Sequence, residues 1–364
     1  MVKGIPTIKD DFADPEDQER GIYDPEPTDD EDLWFLPDEG AAADALMPPL
    51  PRADRQALYN AADWQAAQDG LSGPLADLAV TFGALDERLR SGPEGWRQRL
   101  ALLEVVDLGW WTGDRISAER LALWVGLRLA ATGEDTQALA RAGWAVRRLS
   151  AGPQPGAGGW ITGAGAFLGR SLPETDDVPD TLADLAEVME ASVGLHPVTQ
   201  AAIVFHGWRM LASGIAHQRL TTETEAAVMA ARHAARMGRG QGAMFVPLAL
   251  SGHDGLRATG TVANRLAAWI RGADRATLAA LLHLDRVRDW RGRAIAVLSG
   301  RTGRTPPALM QVFADWPMVS APLAEQATGA SRAAVQRNLD LMQYRGLIRE
   351  ITGQGRYRVW TAQI

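Results

Sequence analysis

Ser331, Arg332, Ala333, Gln336 and Arg337 fall together near the C-terminal end of the chain. They are the residues whose types and spacing best suit a defined chemistry. Arginine can pair bidentately with guanine and glutamine with adenine on base edges in a major groove. Ala333 and Ala334 are small enough to let a helix carrying them come close. Arg349, Arg356 and Arg358 follow at short range and suit phosphate or minor-groove contacts, which add affinity more than sequence choice. The acids Glu325, Asp340 and Glu350 are expected to face away from such a surface.

Helices and a hairpin must position these side chains. Thr305-Pro306-Pro307 reads as a helix start, with Thr305 as cap and proline in the first turn, and Leu309, Met310 and Phe313 form its apolar face. Trp316-Pro317 ends that helix, and Met318-Val319-Ser320 is a short extended piece. Pro322 fits the first turn of a second helix with Leu323 and Ala327 inward. Thr328-Gly329-Ala330 turns, and Ser331 caps a third helix with Val335, Leu339 and Met342 inward. Gly346 closes it. Leu347–Thr352 and Arg356–Trp360 read as strands joined by Gly353-Gln354-Gly355, with Tyr357 and Val359 on one face and Arg356 and Arg358 on the other. This order is that of a winged helix-turn-helix, expected over residues 304–364, with the third helix entering the groove.

Charge is distributed to match. The chain has 364 residues and a net charge of −8, but residues 1–40 hold 14 acids and 3 bases while residues 301–364 hold 8 arginines against 4 acids. Residues 231–300 are also basic, with 11 arginines against 4 acids. Partners respond to local potential, because ordinary salt screens charge beyond about 10 Å. Cysteine is absent, which excludes disulfides, thiolate metal sites and a cysteine nucleophile. No apolar run is long enough to span a membrane, and the acidic N-terminus lacks the pattern of a secretory leader, so a cytoplasmic location is expected.

Residues 1–54 read as a disordered acidic lead, interrupted by the apolar island Leu33-Trp34-Phe35-Leu36. Residues 55–303 read as an all-helical body. Leu75, Leu78, Phe82, Leu85 and Leu89 recur at helical spacing, a second helix covers Arg97–Asp107 before a break at 109–113, and Ser117 caps a third. Another opens at Thr136. Residues 151–175 suggest a loop with one short helix. Further helices are predicted at 180–192, 197–213, 222–237, 258–271, 275–289 and 292–299. Trp64, Trp124, Trp144, Trp208 and Trp269 are core candidates.

Other chemistry is thinly signalled. The six histidines, His196, His206, His217, His233, His253 and His283, show no ligand spacing on one helix face, and no metal or cofactor is expected. His206 reads as an N–H donor at the core edge. Gly163-Ala164-Gly165-Ala166-Phe167-Leu168-Gly169 lacks dinucleotide spacing and suggests close helix packing. Gly238-Arg239-Gly240-Gln241-Gly242, preceded by Arg232 and Arg236, could cradle a phosphate or a small anionic effector on its backbone N–H groups, or simply end a helix. Arg286, Arg288, Arg291 and Arg293 flank Trp290 and either widen a basic surface or pair with Asp285 and Asp289.

Three stretches carry a resemblance. Trp316–Pro322, Thr328–Leu339 and Gly346–Arg358 are together similar to a bacterial, often plasmid-borne family of unknown function whose members end in a helix-turn-helix DNA-binding domain. The likeness extends upstream through Leu195–Ala202 and Phe245–Ala249. The layout also resembles Fic-type AMP-transferases, yet His196-Pro197-Val198 has no Gly-Asn-Gly-Arg after it, so no catalytic residue carries over. The resulting expectation is a mainly α protein that regulates transcription by binding double-stranded DNA, with a homodimer and a small anionic effector as further candidate partners and no enzymatic role. A diverged nucleotide transferase or a winged-helix adaptor is the alternative.

Overall fold

The structure, a computed structural model, describes residues 60–127, 136–170, 180–212, 219–300, 303–353 and 358–364. The acidic lead, His217, Gln354-Gly355 and Arg356-Tyr357 lie outside these residues. Among the described residues no helix is long and apolar enough to cross a membrane.

The body is helical because its apolar residues recur every three or four positions. Helix α1 (Ala61–Asp69) starts where the Asn60 side chain accepts the Ala62 N–H, and it buries Trp64. Helix α2 (Ser72–Ser91) buries all five residues of its anticipated face, Leu75, Leu78, Phe82, Leu85 and Leu89. Helix α3 (Gly95–Thr112) runs through the expected break and stops only at Gly113, whose φ of 107° is left-handed. Gly109 is glycine for a different reason: a Cβ there would collide with the Asp114 carbonyl. Ser117 accepts the Arg120 N–H at 3.2 Å and opens α4 (Ala118–Leu127), as expected. Then come α5 (Thr136–Ser150), α6 (Trp160–Leu168) and α7 (Asp180–Ala191).

Helix α8 (Pro197–Leu211) is buried on every side from Val198 to Trp208. Such a helix sits at the centre of a bundle. It packs along α9 (Arg219–Ala234), where Ala226, Ala227, Ala230, Ala231 and Ala234 keep side chains short and the axes close. A short 3-10 turn, Ala235–Met237, extends α9. Residues 238–250 then cross the body outside any strand or helix; Val246 donates to the Ala231 carbonyl of α9 at 2.9 Å, and six other amides need partners. Two buried carboxylates supply them. Asp86 on α2 accepts from Gly240, Gly242 and Ala243 at 2.6–2.7 Å, and Glu104 on α3 accepts from Leu248, Ala249 and Leu250 at 2.7–3.2 Å. A carboxylate shared by several amides is an effective way to satisfy buried backbone.

The three helices anticipated between 258 and 299 form one, α10 (Val262–Val297), 36 residues long. At a rise of 1.5 Å per residue it spans about 54 Å. Its predicted interruption near Gly272 fails because that glycine serves packing: a Cβ there would stand only 3.0 Å from the Gly255 backbone. The N-terminal part of α10, from Leu266 to Leu284, belongs to the body core. The C-terminal part, Val287, Trp290, Ala294 and Leu298 just beyond it, belongs to a second core with the C-terminal elements.

Those elements are α11 (Thr305–Asp315), β1 (Val319–Ser320), α12 (Ala321–Thr328), α13 (Arg332–Tyr344), β2 (Ile348–Glu350) and β3 (Val359–Ala362). The strands form an antiparallel sheet in the order β1-β3-β2, with Val319 opposite Trp360 and Ile348 opposite Ala362. Leu309, Met310 and Phe313 are buried as expected, but Thr305 is the first helical residue rather than a cap, and no side chain caps α11. On α12 the inward residue is Ala324; Leu323 is half-buried and Ala327 exposed, because the helix is rotated from the expected phase. The junction with the body is tight. Arg99 of α3, itself buried, donates to the carbonyls of Phe313 and Trp316 at 2.9 and 2.7 Å, and Trp96 donates to Ala314 at 3.0 Å. The last carbonyls of α11 are therefore capped from the body, where a cation also suits the negative helix end.

Candidate nucleic-acid interface

Helix α13 gets its placement from its two ends and its apolar side. Ser331 has extended backbone and accepts the Ala334 N–H at 3.4 Å, which fixes the first turn. Just before it, Gly329 with φ 64° ends α12 and allows the sharp turn between the helices. Val335, Leu339 and Met342 enter the second core, so the opposite side must face outward. That side presents Ser331, Arg332, Ala333 and Arg337 exposed, with Gln336 half-buried between them. Among the described residues neither Arg332 nor Arg337 has an ion-pair partner.

The remaining anticipated contacts stand differently. Gln336 donates to Asp340 at 2.9 Å along the helix. Asp340 was expected to turn away; it shares the outward stripe with Ala333, Arg337 and Tyr344. Arg349 on β2 reaches across to Glu119 at the start of α4, 2.7 Å away. Arg358 sits over the Trp360 ring at 4.8 Å, pairs with Glu350 at 2.9 Å and lies 3.7 Å from Asp340. These two arginines are held by carboxylates of the chain itself. Arg356 lies outside the described residues.

Sequence reasoning missed Tyr344, which is 85% exposed at the C-terminal end of α13. Its spacing of seven from Arg337 placed it on the same stripe, but a terminal aromatic reads more readily as core. Trp290 is core to the C-terminal unit, donating to the Leu347 carbonyl at 2.8 Å. Beside it, Arg288 pairs with Asp285 and Asp289, and Arg293 donates to the Gln363 carbonyl.

The effector loop anticipated at 238–242 does cradle an anion, and that anion is Asp86. The Gly240 and Gly242 amides are taken, and a Cβ at Gly240 would meet the same carboxylate. His206 does not find the hydrogen bond expected of it. Its Nε2 is buried without a partner, its ring packs against Phe205 at 5.1 Å, and burial pushes its pKa down to about 3. His196 serves as the cap of α8, its Nδ1 accepting the Val198 N–H. Among the described residues no three His, Asp or Glu side chains gather as metal ligands.

A short outward helix after a glycine turn, with arginines exposed in its first turns, is the geometry of base-edge readers. Residues 306–362 match a family model described as an HTH DNA binding domain. The chain carries a C-terminal HTH DNA-binding domain. No curated protein matches the chain. The matched stretch of the HTH domain contains α11 to α13 and the three-stranded sheet, and so every side chain of the outward stripe.

Proposed function

We propose that the protein is a transcriptional regulator and that its HTH domain is a winged helix, with α13 seated in the major groove of duplex DNA. What supports this is the exposed pair Arg332 and Arg337 on the outward stripe of α13, neither with an ion-pair partner among the described residues. Ser331, Ala333 and Gln336 complete the contact surface, with Gln336 released from Asp340 on binding. The hairpin after α13 forms the wing. It acts chiefly through Arg356, since Arg349 and Arg358 must first leave Glu119 and Glu350. The helical body brings two chains together or senses a small ligand.

The decisive experiment selects bound fragments from random duplex DNA and then measures Arg332→Ala and Arg337→Ala on the selected site. Each change should weaken specific binding by about 1–3 kcal/mol, and affinity should fall steeply with salt. Unchanged selection and affinity in both variants would remove α13 from the groove.

A further inference from the structure

A cavity of about 680 Å³ opens in the helical body, lined by no residue of the HTH domain, and nothing described so far fills it. Several pieces of chain build it: the loop Gln154–Ala157, Trp160 at the start of α6, the turn Val193–Leu195 after α7, Gln200 of α8, His233 of α9 and Arg236 of the 3-10 turn that follows. The loop is seated closely. A Cβ at Gly163 would collide with Pro155 and Ala157, and buried Arg232 donates to the carbonyls of Gly152 and Pro153.

Two polar atoms at this site are buried and lack partners: Gln154 Oε1 and His233 Nδ1. The histidine is 1% exposed. Its other nitrogen settles the tautomer. Gln200 donates its amide to the Ser192 carbonyl at 3.0 Å, which turns its oxygen to His233 Nε2 at 2.8 Å. Arg236 Nη1 also lies 3.3 Å from Nε2, but the shorter contact with the Gln200 oxygen assigns the proton to Nε2 and leaves Nδ1 a lone-pair acceptor. Burial, with Arg236 nearby, drives the imidazole pKa down to about 3, so the ring stays neutral. The site thus offers two unsatisfied acceptors, which a native interior rarely leaves unfilled. Trp160 supplies an aromatic wall, its ring 5.1 Å from that of His233. Arg236 is exposed and is the one charged side chain among the described lining residues. The volume lies within the range of small-molecule sites.

We infer that this cavity binds a small aromatic anion: a flat ring stacked on Trp160, N–H donors reaching His233 Nδ1 and Gln154 Oε1, and a phosphate or carboxylate held by Arg236. Nucleotides and amino-substituted aromatic acids share that chemistry. The ligand would enter without touching α13, so the site's occupancy is separable from groove contact.

Calorimetric titration of the full chain tests this with the four nucleoside 5′-monophosphates, their parent nucleosides, and 2-aminobenzoate. At least one anionic probe should bind with a Kd below about 1 mM. Arg236→Ala and Trp160→Leu should each weaken it by about tenfold or more, while the Arg332→Ala/Arg337→Ala double variant should leave it unchanged. A nucleotide preferred over 2-aminobenzoate, or the reverse, names the source. The proposal is overturned if no anionic probe binds, if binding survives both cavity variants, or if it is lost with the α13 arginines. A nucleoside that binds as tightly as its monophosphate overturns the anion contact. Arg236→Ala alters an exposed side chain, so it remains informative even if Trp160→Leu fails to fold.

Discussion

Arg349 of β2 and Glu119 of α4 meet at 2.7 Å across the junction between HTH domain and body. Both side chains are substantially exposed, at 52% and 34%. A pair of this kind contributes at most about 1 kcal/mol to stability. Its larger effect is on the charge available to DNA. Glu119→Gln should release Arg349 and raise affinity for nonspecific duplex severalfold at low salt. Arg349→Ala should change that affinity little in the parent protein. Titration of a labelled duplex at two salt concentrations reads both, and a large loss in Arg349→Ala would mean that the pair opens on DNA.

Asp86 holds the loop that reads, from its glycines, like a ligand cradle. Asp86→Ala would strand the N–H groups of Gly240, Gly242 and Ala243, of which the last two bonds are buried. Each unsatisfied buried donor costs about 1–3 kcal/mol. The variant should therefore lose several kcal/mol in denaturant unfolding. Added phosphate or sulfate should rescue it in part by entering the vacated cradle.

Glu104 gives a pH signature. Burial pushes its pKa up to about 7 against the opposing pull of the three amides it accepts. A carboxyl whose folded pKa is raised favours the folded state while it is protonated. Its contribution is complete below the unfolded value of about 4.5 and fades as pH rises through 7. Glu104→Gln removes this titration. Melting temperatures of parent and variant, measured from pH 4.5 to 7.5, should converge as pH rises, with the parent declining more steeply. Parallel curves would show that Glu104 stays ionised in the fold.

The second core predicts where the HTH domain can be cut. Val287, Trp290, Ala294 and Leu298 close it from α10, and Trp290 also holds the Leu347 carbonyl. A fragment beginning at 304 loses all four, and burying a large apolar side chain contributes about 1.5–3 kcal/mol. We expect residues 285–364 to unfold cooperatively and residues 304–364 to be molten or aggregated. Circular dichroism during thermal unfolding distinguishes them.

Much of this was readable in advance. The spacing of Leu75 to Leu89, and of Val335, Leu339 and Met342, gave buried faces that the structure reproduces, since helical period follows directly from the chain. Ser117 and Ser331 cap helices as expected, and Ser320, read as the end of an extended piece, also caps α12. Glycines misled where packing, not conformation, demanded them. Gly109 and Gly272 looked like breaks and are close-approach points inside helices. The partners of Asp86, Glu104 and Arg349 could not be read at all, because each lies more than a hundred residues away in sequence. Arg358 pairs close by in sequence, with Glu350 and Asp340, yet that too was hidden, because charge type is local and pairing is set by the fold.

The capping of α11 by Arg99 bears on operator architecture. A recognition module on a loose tether can adjust to many half-site separations. Here the module's orientation is inherited from a helix of the body through bonds of 2.7–2.9 Å. Should two chains share one duplex, the distance between their footprints would be dictated by how the bodies meet. Inserting half a helical turn of DNA between the sites would then abolish joint occupancy rather than merely weaken it.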